Sequence, residues 1–144
     1  MALLLLRHAT AGHRRPGVEE DEDRLRPLDE RGRRQADAFP ALYGDFGVER
    51  LVTSPYVRCR QSVEPLARVL DLPIEERSEL AEGAREAEIW ALAAELADTT
   101  AVLCTHGDIL GVLLGEEPEK GSTWIVDVGA DGGISPRSYL PPPA

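Results

Sequence analysis

Several residue types are scarce in this chain of 144 residues, and each scarcity removes an option. With only two cysteines, Cys59 and Cys104, far apart and set in apolar patterns, a disulfide framework is excluded; two reduced core thiols are expected. Long hydrophobic runs are missing too. The longest leucine run, Leu3 to Leu6, stops at once at Arg7 and His8, too short for a signal sequence or a membrane span, so a soluble cytoplasmic protein is expected. Positive charge is in deficit. At a formal net charge of -10 the surface repels polyanions, which argues against nucleic-acid polymers and acidic membranes as partners. Any anionic ligand therefore needs a locally basic pocket. Among the 16 basic residues only Lys120 is a lysine; arginine bias with high alanine reads as GC-rich coding, but guanidinium also offers a planar fork matched to phosphate oxygens.

A chain of this length buries roughly two thirds of its unfolded surface, enough for one core without staples. No internal repeat and no second domain is visible, so residues 1–144 are read as one domain. Leu3 to Leu6 have the pattern of a strand buried on both faces, as do Leu51 to Thr53 and Ala101 to Cys104. Thr123 to Val128 is β-branched and aromatic enough for a further strand, followed by a Gly129 to Gly133 turn and an edge strand ending near Tyr139.

Helical spacing appears between the strands. Asp29 caps a helix with Ala36, Phe39 and Leu42 or Tyr43 inward, which Pro40 is expected to kink or divide. Ser54-Pro55 reads as an N-cap and first helical residue before Cys59, Val63, Leu66, Ala67 and Leu70, with a bend expected at Pro65. The stripe Ile89, Leu92, Ala93, Leu96, Ala97 makes residues 84–98 amphipathic, and another apolar helical turn runs to Leu114. Residues 13–27, nearly free of apolar side chains and carrying the acidic run Glu19 to Asp23, read as an exposed, mobile, solvated loop. This alternation predicts an α/β fold: a three-layer α/β/α sandwich with a mainly parallel sheet.

In such sheets ligands bind beyond the carboxyl ends of strands. Three polar clusters fall there: Arg7-His8, Ser54 to Arg58, and His106-Gly107-Asp108. A phosphoryl group in transfer spreads charge over three oxygens and needs fixed cationic donors, a role for Arg7 and Arg58. Backbone N-H groups at a helix opened by Ser54-Pro55 would add to that site. An imidazole with one bare nitrogen is a competent nucleophile toward phosphorus, and its N-P bond is labile to water; His8 takes that part, with His106 donating from across the pocket. Glu82 is the carboxylate best placed to protonate a leaving oxygen, with Glu79 its competitor. A metal site built from His8, His13, His106 and Asp108 matches no zinc or two-metal spacing, and arginines beside the histidines oppose a dication; none is expected, nor any other cofactor.

Leu5-Leu6-Arg7-His8-Ala9, Leu28-Asp29-Glu30-Arg31-Gly32-Arg33-Arg34-Gln35-Ala36, Thr53 to Ser62, and Cys104-Thr105-His106-Gly107-Asp108 stand in one order. Together they resemble the histidine phosphatase superfamily, also called phosphoglycerate mutase-like, over residues 3–114. The resemblance implies Arg7, His8, Arg58 and His106 as the phosphate pocket, phosphorylation of His8 during turnover, and Glu82 near the usual acid-base glutamate. The short chain is similar to the compact branch that includes SixA protein phosphohistidine phosphatases, and to phosphatase domains attached to some MutT-type nucleotide hydrolases. Ala9 stands where glycine is commoner, and Thr10 to Arg14 departs from the mutase pattern, leaving Gly12 and Arg14 as candidates to hold substrate beside Ser54 and Gly107. The expected activity is metal-independent hydrolysis of a phosphomonoester or phosphohistidine, on a phosphorylated small molecule or protein. A noncatalytic phosphate-binding module and a phosphotransfer mutase are the alternatives.

Overall fold

The computed structural model describes residues 2–13 and 16–144. Its six strands are β1 (Ala2–Arg7), β2 (Arg50–Thr53), β3 (Ile74–Glu76), β4 (Ala101–Thr105), β5 (Thr123–Val128) and β6 (Ile134–Leu140). They form one sheet in the order β3-β2-β4-β1-β5-β6. The first four of that order run parallel, while β5 pairs antiparallel with β1, and β6 antiparallel with β5. The helices are α1 (Glu20–Asp23), α2 (Glu30–Tyr43), α3 (Val57–Leu70), α4 (Glu86–Glu95) and α5 (Gly107–Leu114). The expected three-layer sandwich is what forms. None of these helices is long and apolar enough to cross a membrane, among the described residues.

Two cores result from the two-residue period of β1. Leu4 and Leu6 join Ala36, Phe39, Tyr43, Cys59, Val63 and Leu66 from α2 and α3 on one face of the sheet. Leu3 and Leu5 face the other way and join Ile89, Leu92, Ile109, Leu110 and Leu113 from α4 and α5. All four leucines are fully buried, which explains why the run shows no polar alternation. Burying four such side chains is worth roughly 6–12 kcal/mol before chain entropy is counted. Cys59 and Cys104 are free and buried, as expected.

α2 continues through Pro40 to Tyr43, so the proline does not divide it, and Phe39 and Tyr43 on either side of it are buried. α3 likewise continues through Pro65 to Leu70, with Leu66 buried just beyond it. Two local expectations are corrected. Ser54-Pro55 does not open α3: Tyr56 is the N-cap and Val57 the first helical residue, since the Ser54 hydroxyl is used elsewhere. The acidic run is only partly a solvated loop, for Glu20–Asp23 coil into a helical turn and Asp23 is 2% exposed. The short edge strand β3 was not expected; only three residues long, it is too brief to show a pattern.

Candidate functional site

Strand register brings the three polar clusters together. Arg7 pairs with Thr105 across β1 and β4, and Thr53 pairs with Cys104 across β2 and β4, so all three strands end at the same edge. The residue after each end is His8, Ser54 or His106. Backbone bonds lock this edge: His8 N donates to Thr105 O at 3.0 Å and Ser54 N to Cys104 O at 2.9 Å. One helical turn beyond Arg58, the Ser62 hydroxyl donates to Arg58 O at 2.7 Å and accepts from Ala9 N at 3.0 Å, tying α3 to the segment after β1.

The tautomer of His8 is set by its neighbour. Nδ1 lies 2.8 Å from Ala9 O, and a carbonyl can only accept, so Nδ1 carries the hydrogen and Nε2 keeps its lone pair. Burial drives the His8 pKa down to about 3, outweighing the raising effect of the Ala9 bond, and the nearby His106, Arg58 and Arg7 lower it further. The ring is neutral at physiological pH. Its centroid is 5.4 Å from that of His106, the two planes inclined at 65°.

His106 behaves oppositely. Burial alone would lower its pKa, but the contact with Cys59 and the ion pair with Glu82 outweigh it and raise the value to about 9. Burial pushes the Cys59 thiol up, so it is neutral at pH 7 and Glu82 is the partner that stabilises the imidazolium. Nε2 donates to Ser54 Oγ at 2.9 Å, and that oxygen also accepts from Tyr56 N at 3.2 Å. Nδ1 lies 3.4 Å from Glu82 Oε1, close enough for ion pairing but without hydrogen-bond geometry. Ser54 thus orients the ring from behind, fully buried, rather than lining the cleft.

Arg58, on the first turn of α3, is 1% exposed. Its guanidinium donates to Asp23 O at 2.8 Å, to Asp23 Oδ2 at 3.1 Å and to Glu82 Oε1 at 2.7 Å, and lies 4.9 Å from the Tyr56 ring centroid. Pairing with His106, and with Arg58 beside it, holds the Glu82 pKa down to about 2 against the effect of burial. Glu82 is therefore ionised in the unliganded site. Its loop is fixed by Gly83 N donating to Asp108 Oδ2 at 2.9 Å, which gives Asp108 a structural task. Glu79, the competitor, is bound to Arg77 and is not among the residues lining the cleft.

Arg7 donates to Pro118 O at 2.7 Å. Its guanidinium passes so close to Gly107 that a Cβ there would lie 2.9 Å from Arg7 Cζ, so Gly107 makes room for the arginine. Among the described residues, Arg7 Nε, Arg58 Nε and His106 Nδ1 are buried without a hydrogen-bond partner. Buried donors are rarely left so, and three of them on residues at one edge of the sheet suit an oxyanion.

An open cleft of about 290 Å³ lies over these groups, lined by Arg7, His8, Gly12, His13, Arg26, Arg58, Glu82 and Lys120. Gly12 adopts φ +67°, and Asp29 holds its loop by accepting from Gly12 N at 3.0 Å, Thr10 Oγ1 at 2.6 Å and Gly32 N at 2.7 Å. Arg14 lies outside the described residues. Asp23, Arg26 and Lys120 were not singled out from the sequence; the one local signal is the three-residue spacing of Asp23 and Arg26, which form an ion pair at 3.0 Å. Among the described residues no group of three or more His, Cys, Asp or Glu side chains is arranged to hold a metal ion.

A mixed α/β sandwich, and a pair of imidazoles with Arg7 and Arg58 at its carboxyl edge, give the class of fold and the donor set that an oxyanion would require. Residues 3–88 match the sequence model of the histidine phosphatase superfamily (branch 1), and the chain belongs to that family. It is 37% identical over 158 aligned positions to the 8-oxo-(d)GTP phosphatase of Mycolicibacterium smegmatis, an alignment that takes in 98% of this chain and 48% of that protein. The chain thus spans about half the length of that relative. Its fold is similar to the protein histidine phosphatase SixA complexed with tungstate (TM-score 0.80, 21% identity, 99% of this chain and 97% of that one). A mycobacterial glucosyl-3-phosphoglycerate phosphatase shares it as well (TM-score 0.70, 17% identity, 94% and 95% covered).

Proposed function

We propose that this chain is a histidine phosphatase domain that hydrolyses a phosphorylated substrate through a phosphohistidine formed on His8, with no metal taking part. The observation that carries the reading is the His8 tautomer: a buried neutral imidazole, its Nδ1 hydrogen spent on Ala9 O, its Nε2 bare beside a cationic His106 and two arginines. In the first step Nε2 attacks phosphorus, the N-P bond forms and the P-O bond to the leaving group breaks. Arg7, Arg58 and the His106 imidazolium hold the three equatorial oxygens. In the second step water attacks the phosphohistidine, the N-P electron pair returns to Nε2, and Glu82 accepts the water proton.

A carboxylate suits that second step, and it also neutralises Arg58 and His106 until substrate arrives. Substrate oxygens then take over both cations, and Glu82 is free to carry a proton to or from the leaving oxygen. Gly12 and Gly107 shape the pocket for substrate without contributing charge. The tungstate bound to SixA, a tetrahedral oxyanion, and the phosphorylated substrates in the names of the relatives support this assignment.

The test is hydrolysis of p-nitrophenyl phosphate with chelator present. His8→Ala should lower kcat by at least about a thousandfold. Rapid quenching of the native protein should trap phosphate on protein that is lost in acid and retained in alkali. Turnover that survives His8→Ala, or that depends on added metal, would overturn the mechanism.

A further inference from the structure

Two cations in the cleft have no part in the attack on phosphorus or in the hydrolysis of phosphohistidine. Arg26 comes from the segment after α1, and Lys120 from the loop before β5, nearly a hundred residues later. Both reach the same atom: Arg26 donates to Gly12 O at 3.1 Å, and Lys120 Nζ lies 3.5 Å from that oxygen. Arg26 is held from behind by Asp23 and by Ala11 O at 2.6 Å. Lys120 makes no ion pair among the described residues. Burial, together with the charges of Arg7, Arg26 and Arg58, keeps its pKa below the ordinary lysine value against a smaller raising effect of Asp29. This is the chain's one lysine, and in a protein of net charge -10 it sits where cations already crowd.

Crowding like charges costs free energy unless an anion offsets it. One phosphoryl group is already matched by Arg7, Arg58 and His106. We propose that Arg26 and Lys120 form a second anion subsite, so that the substrate of the His8 site is a phosphoanhydride, of which a nucleoside diphosphate is the probe, whose second phosphate binds there. The inference rests on the phosphohistidine reading of the His8 site.

The step balances simply. His8 Nε2 attacks the terminal phosphorus as the bond from that phosphorus to the bridging oxygen breaks. The nucleoside monophosphate departs with the bridging oxygen and its electron pair, stabilised by Arg26 and Lys120. Water then releases inorganic phosphate from His8. A phosphate leaving group needs little protonation, and that suits a cleft whose lining carboxyl, Glu82, is ionised in the unliganded site.

The experiment measures kcat/KM for GDP, GMP, 3-phosphoglycerate and p-nitrophenyl phosphate on the native protein, Lys120→Ala and Lys120→Arg. The native protein should prefer GDP to GMP by at least about tenfold. Lys120→Ala should cut that ratio by about tenfold, a loss of about 1.4 kcal/mol in selectivity. Lys120→Arg should restore most of it, which separates charge from folding. If GMP or 3-phosphoglycerate is turned over as well as GDP, or if Lys120→Ala lowers all four substrates alike, the second subsite is refuted while the phosphohistidine reading stands. Absence of turnover on all four, with no trapped phosphate, refutes both.

Discussion

Replacing Asp23 by alanine exposes how much the site depends on one buried ion pair. The carboxylate and the Arg58 guanidinium are each 1% exposed at their side chains, and Asp23 supplies two of the three hydrogen bonds that Arg58 makes to backbone oxygen and carboxylate. The backbone bond from Asp23 O survives the substitution in principle, but the carboxylate that holds α1 against α3 does not. Removing one member of a buried pair costs about 3–5 kcal/mol, because the remaining charge stays desolvated. Glu82 compensates part of the Arg58 charge, so the low end, about 3 kcal/mol, is expected. In a chain of this size that corresponds to a fall in Tm of roughly 10 °C. Thermal and urea unfolding monitored by circular dichroism measure it. Asp23→Asn, which keeps an acceptor but not the charge, should fall between the alanine variant and the native protein.

The same substitution carries a second signature. With Asp23 gone, Arg58 and Arg26 both lose a counter-charge, so inorganic phosphate should raise Tm more in Asp23→Ala than in the native protein. A Tm within about 2 °C of native, together with an unaltered response to phosphate, would refute the view that Asp23 anchors the site.

Gly32→Ala places a Cβ 2.0 Å from Thr10 O, a backbone atom, so the loop from Thr10 to Gly12 or the start of α2 must shift. A loss of about 1–3 kcal/mol in urea unfolding and a weaker KM for p-nitrophenyl phosphate are expected. The pH dependence has a sign on each side. His8 has a folded pKa depressed to about 3, so below pH 6.5 the unfolded chain takes up a proton that the folded one refuses, and stability falls as pH drops through that window. His106 has a folded pKa raised to about 9, so its contribution is complete below pH 6.5 and is lost as pH rises toward 9. Tm should therefore peak near pH 6.5, His8→Asn should flatten the acid limb, and kcat/KM should decline above about pH 9 as His106 loses its proton.

Amino-acid order alone was enough for every strand except the short edge strand β3, and for the polar residues at the ends of β1, β2 and β4. Continuous apolar runs such as Leu3 to Leu6 are unambiguous because both faces of a central parallel strand are buried, and a polar residue straight after such a run has only the sheet edge to occupy. That is why Arg7, His8 and His106 could be placed at that edge from local pattern, whereas Arg58, on the first turn of α3, was singled out for its chemistry and by the family resemblance. Helix ends were less legible. Ser54-Pro55 has the local chemistry of a helix start, yet the Ser54 oxygen is drawn to His106, 52 positions away.

Tertiary structure alone decided the charges. An aspartate in an acidic run looks solvated until Arg58, 35 residues on, draws it inside. Nothing near Arg26 or Lys120 in the chain marks them as cleft residues, since their meeting point at Gly12 O exists only once three separate loops are folded together. The ionised state of Glu82 and the opposite proton affinities of the two histidines belong to the same category. Local pattern reports burial of apolar side chains, because that repeats with the period of a strand or helix. Electrostatic partnership has no period and depends on distance in space.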